Sequence, residues 1–228
     1  MKLAIVIPAF NEERVIGSVL KQLPRKLPGI DSVDTVVVND GSTDNTEKVV
    51  NSFDVIILNH IINRGQGAAL KTGIEYVLQH DADIIVTLDA DGQHPVDDIE
   101  HLIAPILAGT HDVVLGSRFL KDESNIPPLR RGVLKLGVIF TRILSRIKVT
   151  DTHNGFRAFS QDAASKIKIV QDRMAHASEI LDEIVLNKLR YTEVPVTITY
   201  NAYSRTKGQS SFAMFKIAMK FIIAKITH

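Results

Sequence analysis

The chain has 228 residues, of which 45% are apolar, 27 are basic and 26 acidic, and none is cysteine. That length buries a core without covalent staples, and the missing thiols exclude a disulfide framework, a thiolate metal site and a cysteine nucleophile. A net charge of +1 argues against a general nucleic-acid binder.

Leu3–Ile7 is a continuous apolar run ending at Pro8, the pattern of a strand buried on both faces. Asn11 is placed to cap a helix whose Val15, Ile16, Val19, Leu20 and Leu23 share one face. Thr35–Val38 is a second strand, closed by Asn39-Asp40-Gly41-Ser42, and Ser42 or Thr43 caps a helix to about Phe53. Val55–Leu58 is a third strand, followed by the loop Asn63-Arg64-Gly65-Gln66-Gly67 and a helix to Gln79. Ile84–Leu88 is a fourth strand ending at Asp89; helix 96–107 and strand 113–116 follow. Five strands alternating with helices predict an α/β fold, a Rossmann-like, mostly parallel sheet flanked by helices. Such sheets bind ligands at the carboxyl ends of their strands.

After Ser117 the alternation stops. Residues 119–131 read as a loop containing Pro127-Pro128, Leu129–Ile147 as a helix, and Phe156–Phe159 as a short strand. Ala175–Leu189 reads as a helix, Val194–Thr199 as a strand, 201–211 as a polar loop and Phe212–Ile226 as a last helix. No linker rich in Gly, Ser or Pro divides the chain, so 1–228 is expected to be one domain.

Three polar turns fall at strand ends: Pro8–Glu12, Asn39–Ser42 and Asp89–Asp91. Asp89 and Asp91, two residues apart, can approach one hard cation, Mg2+ or Mn2+, shared with substrate phosphates. Gln93 offers a carbonyl oxygen at the next alternate position, and His94 could ligate too, although before Pro95 it reads more readily as an exposed turn residue. Asp97 and Asp98 can cap helix 96–107, so capping does not account for Asp89 and Asp91. Haloacid-dehalogenase-type phosphatases also use Asp-x-Asp-Gly, but usually on the first strand rather than the fourth. Gly65-Gln66-Gly67 is neither a dinucleotide fingerprint, since position 70 is leucine, nor a Walker loop. Its glycines read as permitting a tight turn and close helix packing, with Arg64 a candidate phosphate contact.

Ile5-Val6-Ile7-Pro8-Ala9-Phe10-Asn11-Glu12, Val38-Asn39-Asp40-Gly41-Ser42-Thr43-Asp44 and Leu88-Asp89-Ala90-Asp91-Gly92-Gln93-His94-Pro95 resemble the family 2 glycosyltransferases of GT-A fold. Asn63-x-Gly65-x-Gly67-Ala68, Gly116-Ser117-Arg118 and Asp151-Thr152-x-Asn154-Gly155-Phe156-Arg157 narrow the resemblance. They are similar to the branch of dolichyl- or polyprenyl-phosphate mannose synthases and related glucosyl enzymes. The likeness runs from residue 3 to about residue 210. It implies a nucleotide-sugar-binding half at 1–118, an acceptor-side half at 119–210 and a C-terminal amphipathic helix at 211–228.

By the same resemblance Pro8, Phe10, Glu12, Val38 and Asp40 line the base and ribose pocket, with Asp89, Ala90 and Arg205 also on the nucleotide. Asp89, Asp91 and Gln93 hold the metal, and Asp91, Arg118 and Arg131 carry the catalysis. Arg118, Arg131 and Arg205 meet the acceptor phosphate or the diphosphate. Asn39 stands where the family often has aspartate, and Phe10 where relatives often carry tyrosine. The implied reaction moves a hexose, with inversion, from a GDP-mannose- or UDP-glucose-type donor to polyprenyl or dolichyl phosphate.

That chemistry suits the charge pattern. A departing diphosphate needs a metal and cations, and a phosphate acceptor is already an anionic nucleophile that arginine grips with a planar fork. Arg118 to Lys148 holds eight cations against Asp122 and Glu123, and Pro195 to His228 holds five cations and no acid. Two alternatives stay open: a hydroxyl acceptor, with Glu179, Asp182 or Asp151 as general base, and a catalytically silent sugar-nucleotide-binding subunit.

On helix 129–147, Arg131, Lys135, Arg142 and Arg146 fall in a narrow arc opposite Leu136, Phe140, Ile143, Leu144 and Ile147. This is the pattern of an in-plane interfacial helix or of a core-packed helix with a solvated basic face. No run of about 18 uncharged apolar residues exists. The expectation is a cytoplasmic protein, peripheral on the membrane face, with room for an integral membrane partner protein.

Overall fold

The apolar runs become the strands of one seven-stranded sheet in the computed structural model, which describes residues 1–121, 132, 137–139, 141–142 and 145–199. In chain order the elements are β1 (Lys2–Ala9), α1 (Ile16–Gln22), β2 (Ser32–Asn39), α2 (Thr46–Val50), β3 (Ile56–Asn59), α3 (Gln66–Leu78) and β4 (Ile84–Thr87). They continue with α4 (Asp98–Leu107), β5 (Val113–Ser117), β6 (Arg157–Ser160), α5 (Gln161–Lys166), α6 (His176–Leu186) and β7 (Tyr191–Pro195). The strand order is β3-β2-β1-β4-β6-β5-β7. Every pairing is parallel except those of β6, which runs antiparallel to both β4 and β5.

Alternate side chains of the central strands feed two cores. Ala4, Val6, Val36 and Val38 pack with Ile74 and Val77 of α3 and with Ile180 and Ile184 of α6. Leu3, Ile5, Ile7 and Val37 pack with Ile16 and Val19 of α1 and with Ile99, Leu102 and Ile103 of α4. A strand buried on both faces has no polar alternation to keep, which is why Leu3–Ile7 of β1, 36–38 of β2 and 84–86 of β4 read as unbroken apolar runs. Each such side chain contributes roughly 1.5–3 kcal/mol on burial.

The helix starts differ from those expected. Asn11 does not cap α1, which begins at Ile16; Asn11 sits at φ 55°, and its Oδ1 accepts the Thr43 N–H at 2.8 Å. Likewise α2 begins at Thr46 rather than after Ser42 or Thr43, and Thr46 N–H donates to Asp44 Oδ1 at 2.9 Å. Asp97 makes no side-chain cap bond to α4, and Asp98 Oδ2 accepts the Thr197 N–H at 3.0 Å. The last strand lies at 191–195 instead of 194–199, because pairing with β5 sets Val113 opposite Tyr191 and Ser117 opposite Pro195. Within the expected helix 129–147, the described residues 132, 137–139, 141–142 and 145 are helical. The remainder of that helix up to 144, and helix 212–226, lie outside the described residues. Among the described residues, no helix is long and apolar enough to cross a membrane.

The Gly65-Gln66-Gly67 loop packs as tightly as its glycines suggest. Gly65 has φ 112°, and a Cβ on Gly67 would overlap the Gln171 carbonyl oxygen, beside the Ala68 N–H bond to Asp172 O at 3.0 Å. Gly67→Ala is expected to lower unfolding free energy by about 3 kcal/mol through overpacking. Chemical denaturation would read this directly, and an unchanged midpoint would show that segment 171–172 yields.

Candidate active site

The register brings the three polar turns to one edge. Ala9 lies opposite Asn39, so Phe10 and Asp40 leave the sheet side by side; Val6 lies opposite Thr87, so the turn after β4 leaves the same edge. Because β6 is antiparallel, with Thr87 opposite Arg157, the segment 150–156 enters the sheet there too. Side chains brace these turns against each other. Thr46 Oγ1 accepts the Glu12 N–H at 2.7 Å, and Glu13 Oε2 accepts the Asn45 N–H at 2.9 Å. Pro8, Val38 and Ala90 are buried, Glu12 is buried, and the Phe10 ring is 39% exposed at the rim.

Asp40 is buried and fully engaged. Its Oδ1 lies 2.7 Å from His60 Nδ1 and accepts the Arg64 N–H at 3.0 Å. Its Oδ2 accepts from Gly65 N at 2.7 Å and from Asn63 Nδ2 at 2.9 Å. Four partners match the acceptor capacity of a carboxylate. The other ring nitrogen of His60 bonds Thr72 Oγ1 of α3 at 3.0 Å. Asp40 therefore holds the whole β3–α3 loop against the sheet edge.

Asp89 is gripped from three sides. Gln66 Nε2 donates to its Oδ1 at 2.7 Å, His94 Nε2 stands 3.5 Å from its Oδ2, and Gly155 lies so near that a Cβ there would overlap the carboxylate. Burial is the largest influence and works against the Asp89 anion, but the hydrogen bond and charge of His94, with His176 and Arg157 behind it, together hold the carboxyl below its usual range. Asp91 goes the other way: burial, then the charge of Asp89, push it up to about 6, although its Oδ1 accepts the Gln93 N–H at 3.0 Å. Two carboxylates whose protons are split by environment and mutual repulsion offer a cation a strong electrostatic gain. Among the described residues no set of three or more His, Asp or Glu forms a ready metal cage. Two carboxylates beside Gln93 fit Mg2+ or Mn2+, which keep waters and phosphate oxygens in their shells.

His94 is not the exposed turn residue expected. It is only 8% exposed, with its ring 5.1 Å from that of Phe156, because β6 delivers Phe156 beneath the turn. Its Nδ1 and the Nδ2 of Asn154 are buried without a hydrogen-bond partner among the described residues. Arg157 is buried next to this group; desolvation lowers it to about 10, opposed by the charges of Asp89 and Asp151. His176, also buried, is driven down to about 4 by desolvation and then by Arg157.

Arg118 is buried at the end of β5, its Nε donating to Asp151 Oδ2 at 2.6 Å and its N–H to the same oxygen at 3.2 Å. Asp151 N–H in turn donates to Glu193 Oε1 at 3.1 Å, and Glu193, raised by burial, also takes the Thr150 N–H at 2.7 Å. Of the candidate bases, Asp151 is thus paired with Arg118. Glu179, in the first turn of α6, accepts the Val170 and Gln171 N–H groups, both at 3.0 Å. Arg131 and Arg205 lie outside the described residues. Reading the sequence missed His60, Asn63, Gln66, Gly155 and Arg157 as neighbours of the aspartates. Asn63, Gly155 and Arg157 stood within quoted motifs, but nothing in those motifs said that they meet the aspartates.

Residues 4–168 match the family model for "Glycosyl transferase family 2". UDP-N-acetylglucosamine–dolichyl-phosphate N-acetylglucosaminyltransferase of Methanococcus voltae is 35% identical over 244 residues, 97% of this chain and 95% of that protein. Dolichyl-phosphate beta-glucosyltransferase ALG5A of Trichomonas vaginalis is 30% identical over 246 residues, 99% of this chain and 73% of that one. Glucosyl-3-phosphoglycerate synthase from Mycobacterium tuberculosis, crystallised with Mn2+, uridine diphosphate and glucosyl-3-phosphoglycerate, superposes with a TM-score of 0.73 at 19% identity. The match covers 99% of this chain and 78% of that chain, and it shows a shared GT-A fold. With its sheet edge, paired aspartates and relatives in agreement, the chain belongs to glycosyl transferase family 2, in the branch of polyprenyl-phosphate sugar transferases.

Proposed function

We propose that the protein transfers a sugar, with inversion, from a nucleoside-diphosphate sugar of the UDP-glucose or GDP-mannose type to polyprenyl phosphate. The observation that carries this is the Asp89–Asp91 pair, its carboxyls shifted in opposite directions by their surroundings and set at the same sheet edge as Asp40. Asp89, Asp91 and Gln93 would hold a divalent ion, which when bound supplies charge neutralisation for the departing diphosphate. In this reading Pro8, Phe10, Glu12, Val38 and Asp40 shape the nucleoside end of the crevice, and Ala90 and Arg205 are assigned to nucleotide binding. Arg118 and Arg131 face the incoming phosphate in this reading. The ion pair with Asp151 fixes the plane of the Arg118 guanidinium before substrate arrives.

The acceptor assignment draws on two supports. Named relatives act on dolichyl phosphate. In addition, two of the three candidate bases are already engaged, Asp151 by Arg118 and Glu179 by two backbone N–H groups. A phosphate nucleophile needs no such base. A lipid acceptor implies work at a membrane surface, where an exposed Lys or Arg gains about 1 kcal/mol from anionic lipid. The cysteine-free sequence suits the cytoplasmic face.

The test is nucleotide release from a panel of UDP- and GDP-sugars, with and without polyprenyl phosphate. Release that requires both partners is expected. Release indifferent to the lipid would transfer the assignment to a hydroxyl acceptor. Arg131→Ala should cut lipid-dependent transfer about tenfold, the worth of one charge-assisted phosphate contact; unchanged transfer would remove Arg131 from the acceptor site.

A further inference from the structure

We propose that Gln66 is a positioning residue that aims the Asp89 carboxylate, and that Asp40 anchors the loop carrying it. The inference rests on the reading that Asp89 and Asp91 hold a divalent ion.

The two aspartates are held by consecutive residues of one segment. Arg64 N–H and Gly65 N–H donate to the two oxygens of Asp40, at 3.0 and 2.7 Å. The next residue, Gln66, donates through Nε2 to Asp89 Oδ1 at 2.7 Å. In the sheet β1 lies between β2 and β4, so residues 64–66 strap across the carboxyl end of β1, from one aspartate to the other. The strap has little freedom. Gly65 is locked at φ 112° with Asp172 and Arg173 where a Cβ would be, and Gly67 abuts the Gln171 carbonyl. His60, bonded to both Asp40 and Thr72, ties the start of the loop to α3.

The consequence for Asp89 is chemical. A neutral amide donor satisfies one lone pair of Oδ1 without neutralising the carboxylate, and His94 stands at Oδ2. The carboxylate is therefore set in one orientation before any ion arrives, with its negative charge intact. Partners of this kind, which orient ligating carboxylates, typically contribute 10–100-fold to metal affinity. Gln66 is half-buried at the first turn of α3, so removing its amide donor leaves the packing of the core in place. Its effect on ion binding is separable from its effect on stability.

The experiment titrates Mn2+ into the full chain with uridine diphosphate present, and in parallel with guanosine diphosphate, following free Mn2+ by its paramagnetic resonance signal. Gln66→Met keeps the length of the side chain and removes the donor; Gln66→Leu is a second donor-free variant of similar volume. Both are expected to raise the apparent Mn2+ Kd about tenfold or more, with melting temperature within about 4 °C of the parent. A folded Gln66→Met with parental Mn2+ affinity overturns the proposal. Asp91→Asn run alongside separates the two readings. If it too binds Mn2+ like the parent, the metal site itself is misassigned; if it weakens binding while Gln66→Met does not, only the positioning role falls.

Discussion

Asp91→Asn is expected to lower sugar transfer about a thousandfold and, in the metal-free protein near neutral pH, to raise the melting temperature. The first effect follows from removing a carboxylate that would share a cation with the leaving diphosphate, worth several kcal/mol of transition-state stabilisation and so roughly three decades in rate. The second follows from the proton balance. Burial and the charge of Asp89 lift the folded-state value of Asp91 to about 6, from 3.8. Between those values the folded chain binds more protons than the unfolded one, so stability falls as pH rises through about 6, and the penalty is complete above it. Asparagine carries no such penalty. The gain is on the order of 1–2 kcal/mol once solvent access is allowed for, a few degrees for a chain of this size, and it should fade as pH drops from 6 toward 4. Melting curves in chelator at pH 7.5 and pH 5 would read it; a variant no more stable than the parent at pH 7.5 would refute the electrostatic account. The same proton competes with metal, so apparent Mn2+ affinity of the parent should weaken below pH 6.

An active site that costs stability in its empty form is consistent with how legible it was. The aspartates stood out because nothing in helix capping required them, and their surroundings push the two carboxyls in opposite directions, Asp89 down and Asp91 up. The five leading strands were legible for a related reason: a strand with two cores must be apolar throughout, and Leu3–Ile7 or Ile84–Leu88 admits no other reading of comparable simplicity. What the sequence could not disclose depends on contacts distant along the chain. Nothing local says that β6 is inserted antiparallel between β4 and β5, yet that insertion delivers Phe156 under His94 and Gly155 against Asp89. His94 before a proline looked solvent-bound for want of that information.

Cap positions failed for the converse reason. Asn11, Ser42 and Thr43 are good capping residues by type, but here their polar groups bond one another across the β1 and β2 turns. Tertiary bracing of two ligand-bearing turns outcompeted the local bond to a helix end. Gln66 illustrates a third case. Between two glycines it looked incidental, and only the position of Asp40, whose partners fix the backbone of residues 64 and 65, turns its amide toward Asp89.

Gly155→Ala is the sharpest test of that convergence, because it adds one methyl group at the point of closest approach. An alanine Cβ would stand 2.5 Å from Asp89 Oδ1 and 2.6 Å from Oδ2. The backbone conformation itself is no obstacle, since Gly155 is not among the residues at positive φ. Nor can the backbone retreat. Thr87 Oγ1 donates to the Gly155 carbonyl at 2.7 Å, and Phe156 N–H donates to Asn154 Oδ1 at 3.0 Å on a residue packed in the core. The carboxylate must therefore give way, leaving the Gln66 amide and the His94 ring. A displacement of about 1 Å at a reacting group costs on the order of a hundredfold in rate, whereas crowding of this kind costs the fold only about 1–3 kcal/mol. The expected result is a folded protein with native circular dichroism, Mn2+ affinity reduced at least tenfold, and sugar transfer reduced a hundredfold or more. Parental Mn2+ affinity in Gly155→Ala would mean that the Asp89 carboxylate is not held where ion binding needs it, and the contact between β6's entry and the turn after β4 would then be a matter of packing alone.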